Sequence, residues 1–189
     1  MTLYFITGNR NKFNEAKEVI PNLQMLDLDL PEIQGVDGEE IIKAKLAEAM
    51  KDLQVKEILL HSEVIVEDTG LHFDCINGLP GPLIKWFLKG LGPQGLYEIT
   101  RRYGNHHAHV RCLLGYAREG NIEFFEGVVK GEIVPPTGDS AFGWDPVFRP
   151  TGHEKTYAQM NKEEKVAISH RSKALLELKR YLALMKRLS

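Results

Sequence analysis

The residues best suited to chemistry stand together in Val64-Ile65-Val66-Glu67-Asp68-Thr69-Gly70, where three β-branched apolar residues run into two carboxylates, a hydroxyl and a glycine. Such a run predicts a central strand covered on both faces. In open α/β sheets ligands gather beyond the carboxyl ends of central strands, so the two acids are expected there as metal ligands or as a base. Upstream, Thr7-Gly8-Asn9-Arg10-Asn11-Lys12 links the apolar Leu3 to Ile6 with a segment carrying Phe13, Ala16, Val19 and Ile20 at helical spacing. Strand, polar loop and helix in that order form a phosphate cradle. Backbone N–H groups and the positive end of the dipole face an anion, Lys12 adds a charge, and Thr7 and Asn9 add hydrogen bonds. Plain helix capping explains the same Thr and Asn equally well, and no Walker pattern is present to decide between the two.

Further candidates are spread along the chain. Glu32 follows Pro31 in a loop, where solvated surface is the commoner role of an acid. Lys85 falls in the first turn of a helix, where a cation opposes the dipole and so hints at an anionic ligand; a surface lysine is the plainer alternative. The stretch from Pro135 to Pro146 is too long and too aromatic for an idle connection. There Phe142 and Trp144 are expected to stack on a flat base while Asp145 hydrogen-bonds its edge, although core anchoring is the ordinary fate of a tryptophan. His106, His107 and His109 lack a fourth ligand or a helical pair, which favours a solvated strand entry over a metal site.

The elements that must hold these residues alternate strand and helix, then change period. Leu23 to Leu28 reads as a second strand, Gly38 to Leu53 as an amphipathic helix, Leu83 onward as helix with a restart at Pro93, and Val110–Tyr116, Ile122–Phe125 and Val128–Val134 as antiparallel strands. Asn161-Lys162-Glu163-Glu164 is a capping box that opens a C-terminal helix interrupted at Ser169-His170-Arg171. The expected fold is α/β: a long central mixed sheet flanked by helices, in one elongated domain, residues 1–189, with an active-site cleft. At 189 residues the chain can bury roughly 70% of its unfolded surface. With 43% hydrophobic and 26% charged residues and a net charge of -2, it is neither disordered nor basic enough for duplex nucleic acid. Cys75 and Cys112 have no zinc or disulfide spacing, and no apolar run approaches a membrane span, so a cytoplasmic protein with a small anionic ligand is expected.

Taken in order, Thr7-Gly8-Asn9-x-x-Lys12, Pro31-Glu32-Ile33-Gln34, Glu67-Asp68-Thr69-Gly70, Gly78-Leu79-Pro80-Gly81-Pro82, Phe142-Gly143-Trp144-Asp145-Pro146 and Ser169-His170-Arg171 resemble the inosine triphosphate pyrophosphatase family over nearly the whole chain. The resemblance implies a Mg²⁺-dependent homodimer, with Mn²⁺ as an alternative metal. It would cleave ITP, dITP or XTP between the α and β phosphates, leaving the monophosphate and pyrophosphate. It further implies that Thr7, Gly8, Asn9, Arg10, Asn11 and Lys12 hold the triphosphate and that Glu32 and Asp68 serve the metal. Thr69 and Lys85 would contact substrate, and Phe142, Gly143, Trp144, Asp145, Lys165, His170 and Arg171 would complete the nucleotide pocket. Lys45, or Lys43 one turn position away, would be the helix lysine facing substrate. Two features depart from the family: Val166 follows Lys165 where Asn is common, and extra length falls around Asp52 to Ser62. Asp68 is the carboxylate expected to serve catalysis and Glu67 a structural or outer neighbour. Two other readings are a non-catalytic nucleotide-binding module and a metal-dependent phosphatase that releases orthophosphate.

Overall fold

Seven strands join in one sheet of order β2-β1-β3-β5-β6-β7, with β4 paired to β3 off this path. The computed structural model describes residues 2–188 except Asp29, Glu32 and 140–142, and gives the backbone alone for Leu53, Gln54, Leu59, Leu60, Lys186 and Leu188. Strand β1 (Leu3–Ile6) runs parallel to both β2 (Gln24–Leu26) and β3 (Glu63–Phe73), with Phe5 opposite Ile65. Strand β4 (Pro80–Gly81) pairs antiparallel to β3, and β7 (Phe148–Pro150) antiparallel to β6 (Asn121–Ile133). The sheet is therefore mixed and helix-flanked, as the alternating and then meandering patterns imply.

The described chain clusters into two compact units. The first comprises residues 1–68, 112–127 and 171–189. Its helices are α1 (Arg10–Val19), α2 (Gly38–Ala49), α3 (Leu53–His61) and most of α6 (His170–Leu188). Asp37 caps α2 by accepting the N–H groups of Glu39 at 2.8 Å and Glu40 at 3.2 Å, the ordinary use of an acid at that position. Ile42, Leu46 and Ala49 on one stripe of α2 then pack onto Val64, Val66 and Leu113 of the sheet. Each large aliphatic so buried contributes about 2 kcal/mol. The approach is close: a Cβ at Gly115 of β5 (His107–Arg118) would stand 2.2 Å from Ile42 Cγ2, so only glycine lets α2 lie this near the strand.

The second unit comprises residues 69–111 and 128–170 and holds β4, α4 (Ile84–Tyr103), β7 and α5 (Lys162–Ile168). Its core gathers Leu71, Phe73, Ile84, Leu96, Phe148 and Tyr157. The breaker-rich Asn77 to Pro82 loop wraps the ring of His72, which stacks on His109 with centroids 4.6 Å apart. A side chain at Gly70 would stand 2.6 Å from His72 Nε2 and 2.9 Å from the Gly81 carbonyl carbon, which explains the glycine that ends the acidic motif.

Several sequence expectations change. β3 does not stop at the acids but continues through them to Phe73, because Leu71 and Phe73 are apolar and buried and keep the two-residue alternation going. Ile122–Phe125 and Val128–Val134 are one strand, Gly127 lying within β6 without breaking it. The stretch around Asp52 to Ser62, expected as extra length, holds α3. The break before Pro93 is present, carried by Gly92 at φ +65°, and the C-terminal helix divides at Ser169.

Candidate active site

In the first unit the loop after β1 turns tightly. The N–H of Asn9 donates to Thr7 Oγ1 at 3.0 Å, and Asn9 Oδ1 accepts the N–H groups of Asn11 at 3.0 Å and Lys12 at 3.1 Å. The capping reading of Asn9 is thus realised, and it fixes the cradle: Gly8, Asn9, Arg10 and Asn11 are exposed at the start of α1, with Thr7 and Lys12 half-buried behind them. Arg10 reaches only Asp27, 4.0 Å away, and both side chains lie largely in solvent.

Beneath the cradle stands a set of paired charges. Lys12 Nζ is 3.2 Å from Glu67 Oε1. Arg171 clamps the same carboxylate, Nε donating to Oε2 at 2.7 Å and Nη2 to Oε1 at 2.9 Å, and its Nη1 meets Glu15. Lys45 donates to the main-chain carbonyl of Glu67 at 2.7 Å and lies 3.6 Å from Asp68 Oδ1. Strand alternation explains the division: neighbouring residues of β3 point to opposite faces, so Glu67 meets α1 and α6 while Asp68 meets α2. Lys43 is exposed, pairs with Glu39 and lies over the Phe124 ring, whereas Lys45 is buried beside Asp68. Glu67, expected as a structural or outer neighbour, is the member of the pair that Lys12 approaches; the side chains that reach it come from distant segments that a linear motif does not connect. Burial opposes the charge of Arg171, but the neighbouring Glu67 and Glu15 outweigh it and raise its pKa. Cys112 is fully buried at this cluster; burial first, then the charge of Glu67, pushes its thiol well above the ordinary range.

The second unit builds a different environment. Asp145, 2% exposed, accepts a hydrogen bond from Lys165 Nζ at 2.6 Å, and that ammonium also lies 5.4 Å from the Tyr157 ring centroid. Around it Trp144 is tilted against Tyr157 and His170 and meets Phe148 edge-on, and Tyr157 stacks near-parallel on His170. Trp144 is 8% exposed and belongs to the core. Core anchoring is therefore its observed role, in place of the expected open stacking face; with Phe148 and Tyr157 on its sides it is a wall. Gly143 is exposed and lies against Leu88, 2.4 Å from where a Cβ would stand. Lys85 is exposed in the first turn of α4, its ammonium 5.8 Å from the Trp86 ring centroid, and Thr69 is half-buried. Tyr157 carries no motif and escaped the sequence reading; its only signal was an aromatic residue upstream of the capping box. Glu32 and Phe142 lie outside the described residues.

Of the histidines around the start of β5, His106 shares a 2.9 Å hydrogen bond with Thr100 and His109 stacks on His72. A cavity of about 460 Å³ opens beside His106, His107, Glu132 and Arg149, but none of the expected site residues lines it. Paired cations beside acids carry more chemical meaning than concavity alone, so the two clusters above are the better candidates. Among the described residues no three His, Cys, Asp or Glu gather as a metal cage, and no helix is long and apolar enough to cross a membrane.

Comparison with known proteins bears on the chain as a whole. A family model described as the Ham1 family matches residues 3–181. The inosine triphosphate pyrophosphatase of Schizosaccharomyces pombe is 38% identical over 186 residues, covering 96% of this chain and 95% of its own. That of Batrachochytrium dendrobatidis is 42% identical over 186 residues, covering 95% and 93%. The solved structure of the Ham1 protein of Staphylococcus aureus superposes with a TM-score of 0.70 at 26% identity, covering 95% of this chain and 98% of that one.

Proposed function

The chain belongs to the Ham1 family, and from that premise we propose that it hydrolyses non-canonical purine nucleoside triphosphates, ITP, dITP and XTP, to the monophosphate and pyrophosphate, so removing them from the nucleotide pool. The observation that carries the reading is the half-buried Asp68 carboxylate with the Lys45 ammonium 3.6 Å away, on a strand whose preceding residue pairs with the cradle lysine. The match over residues 3–181 supports treating the chain as one domain; that it acts as a cytoplasmic homodimer is part of the same proposal and rests on the family resemblance.

In this reading the exposed cradle from Thr7 to Lys12 takes the triphosphate, and Lys12, Lys45 and Lys85 oppose the charge that develops as the α–β bond breaks. Phosphoryl chemistry of this kind depends on position and electrostatic compensation. Asp68 orients the attacking water and accepts its proton, and Thr69 hydrogen-bonds the phosphate. Gly143, Trp144, Asp145, Lys165 and His170, with Phe142, recognise the base. The donor set suits Mg²⁺: carboxylate oxygens are hard ligands, and Mg²⁺ binds through one or two of them plus substrate phosphates, without a protein cage. Glu32 and Asp68 would hold it, and when bound it supplies Lewis-acid polarisation of the phosphate.

Preference for a 6-oxo purine follows from polarity. A donor aimed at O6 faces the amino group of adenine instead, and a buried mismatch of that kind discriminates strongly. Arg171 is committed to Glu67 and Glu15, which leaves His170 or backbone N–H groups for that donor. Incubation with ITP, dITP, XTP and ATP in Mg²⁺, followed by identification of the released phosphate, tests the proposal. Pyrophosphate from ITP at least about 100-fold more efficiently than from ATP is expected. Orthophosphate as product would favour a phosphatase, no product a binding module, and equal use of ATP would defeat the base assignment.

A further inference from the structure

Glu67 sits where a carboxylate ought to be harmful. An unpaired anion next to a triphosphate site repels its ligand, yet the Glu67 side chain is 1% exposed and lies 3.2 Å from Lys12. Arg171 resolves the conflict. Its two hydrogen bonds at 2.7 Å and 2.9 Å occupy both carboxylate oxygens in fork geometry and cancel the charge, while leaving Oε1 able to hold Lys12. The main chain of the same residue accepts Lys45 at 2.7 Å. One residue therefore touches both lysines, which are otherwise long, flexible stems that lose rotamer freedom on meeting a phosphate. A lysine already fixed loses less.

We propose that Glu67 is a positioning residue: clamped by Arg171, its carboxylate fixes Lys12 and its carbonyl fixes Lys45 before substrate arrives. The inference rests on the reading of these lysines as triphosphate contacts.

The test is a double-mutant cycle read by calorimetric binding of inorganic tripolyphosphate to the wild type, Glu67→Gln, Lys12→Met and the double variant. Each single change is expected to weaken binding about tenfold, and the double variant to bind no more weakly than Lys12→Met alone, because both remove one coupled interaction. A Glu67→Gln protein that binds as tightly as the wild type or tighter, the outcome if only negative charge mattered, overturns the proposal. So do losses that multiply in the double variant, or a wild type that does not bind tripolyphosphate. Should Glu67→Gln fail to fold, judged by its far-ultraviolet spectrum and melting, the cycle moves to Glu67→Gln/Arg171→Met, which removes both halves of the buried pair. In that background Lys12→Met should change affinity little, and a further tenfold loss overturns the idea. Failure of the assigned activity is seen separately: a wild type that binds tripolyphosphate with the expected coupling but releases no pyrophosphate from ITP defeats that activity and leaves Glu67 standing.

Discussion

The two units hold their functional candidates by opposite means. In the first, Lys12, Glu67, Arg171 and Glu15 form a chain of alternating charges, with Lys45 and Asp68 on the other face of the same strand. In the second, a single ion pair, Asp145 with Lys165, is enclosed by Trp144, Phe148, Tyr157 and His170. The difference follows from the ligand parts proposed for these two clusters; Thr69 and Lys85, although in the second unit, are assigned to the triphosphate. A triphosphate is recognised by several cations, and cations kept close together need carboxylates between them. A purine is recognised by flat apolar walls and very few polar groups. Charge is thus distributed in one unit and concentrated in the other.

The sharpest way to break the comparison is Asp68→Asn. Removal of the charge that faces Lys45 is expected to lower ITP turnover about 10³-fold with the fold retained, measured by pyrophosphate release and far-ultraviolet spectrum; near-wild-type turnover would remove Asp68 from the chemistry. Lys165→Met attacks the concentrated pair in the second unit. With Asp145 left charged and 2% exposed among aromatic rings, a loss of about 3 kcal/mol in urea unfolding is expected, and Asp145→Asn/Lys165→Met should recover most of it. A loss no larger than that of a surface lysine would mean the pair is not the anchor described.

The smallest effect belongs to an ion pair of the same second unit placed in solvent. Arg149 donates to Glu132 at 2.8 Å, both side chains 41% exposed, and that hydrogen bond first, then its charge, lowers the Glu132 pKa. A depressed carboxyl pKa adds stability above the unfolded value near 4.5, and this is lost as pH falls through the folded value. Glu132→Gln should therefore cost less than about 1 kcal/mol at pH 7 and less again at pH 3, read from unfolding midpoints at the two pH values. A pH-independent cost would assign the effect to packing.

Local chemistry was legible along the chain. Asn9 caps the helix it precedes, Gly92-Pro93 breaks α4, and the capping box at Asn161 opens α5, since each signal acts within one turn. The mixed sheet followed from the change of period near His107. The role of Glu67 was not legible because Arg171, its clamp, is 104 residues away, and neither Glu in the pair Arg171 bridges announces a partner by spacing. Trp144 and Tyr157 show the same limit. An aromatic residue in a polar loop looks equally like a stacking face or a core anchor until its neighbours are known, and here Phe148 and His170 make it the latter.

The alternation of β3 also decides where this chain can change in length. A single-residue deletion between Glu63 and Asp68 would turn every later side chain to the other face of the sheet, offering Asp68 to Arg171 and Thr69 to Lys45. Substitutions in that strand can be graded, but insertions and deletions cannot. Helix α3, Leu53–His61, ends three positions before the strand's first buried valine, so any change of length tolerated there must stop short of a segment whose count of residues cannot vary.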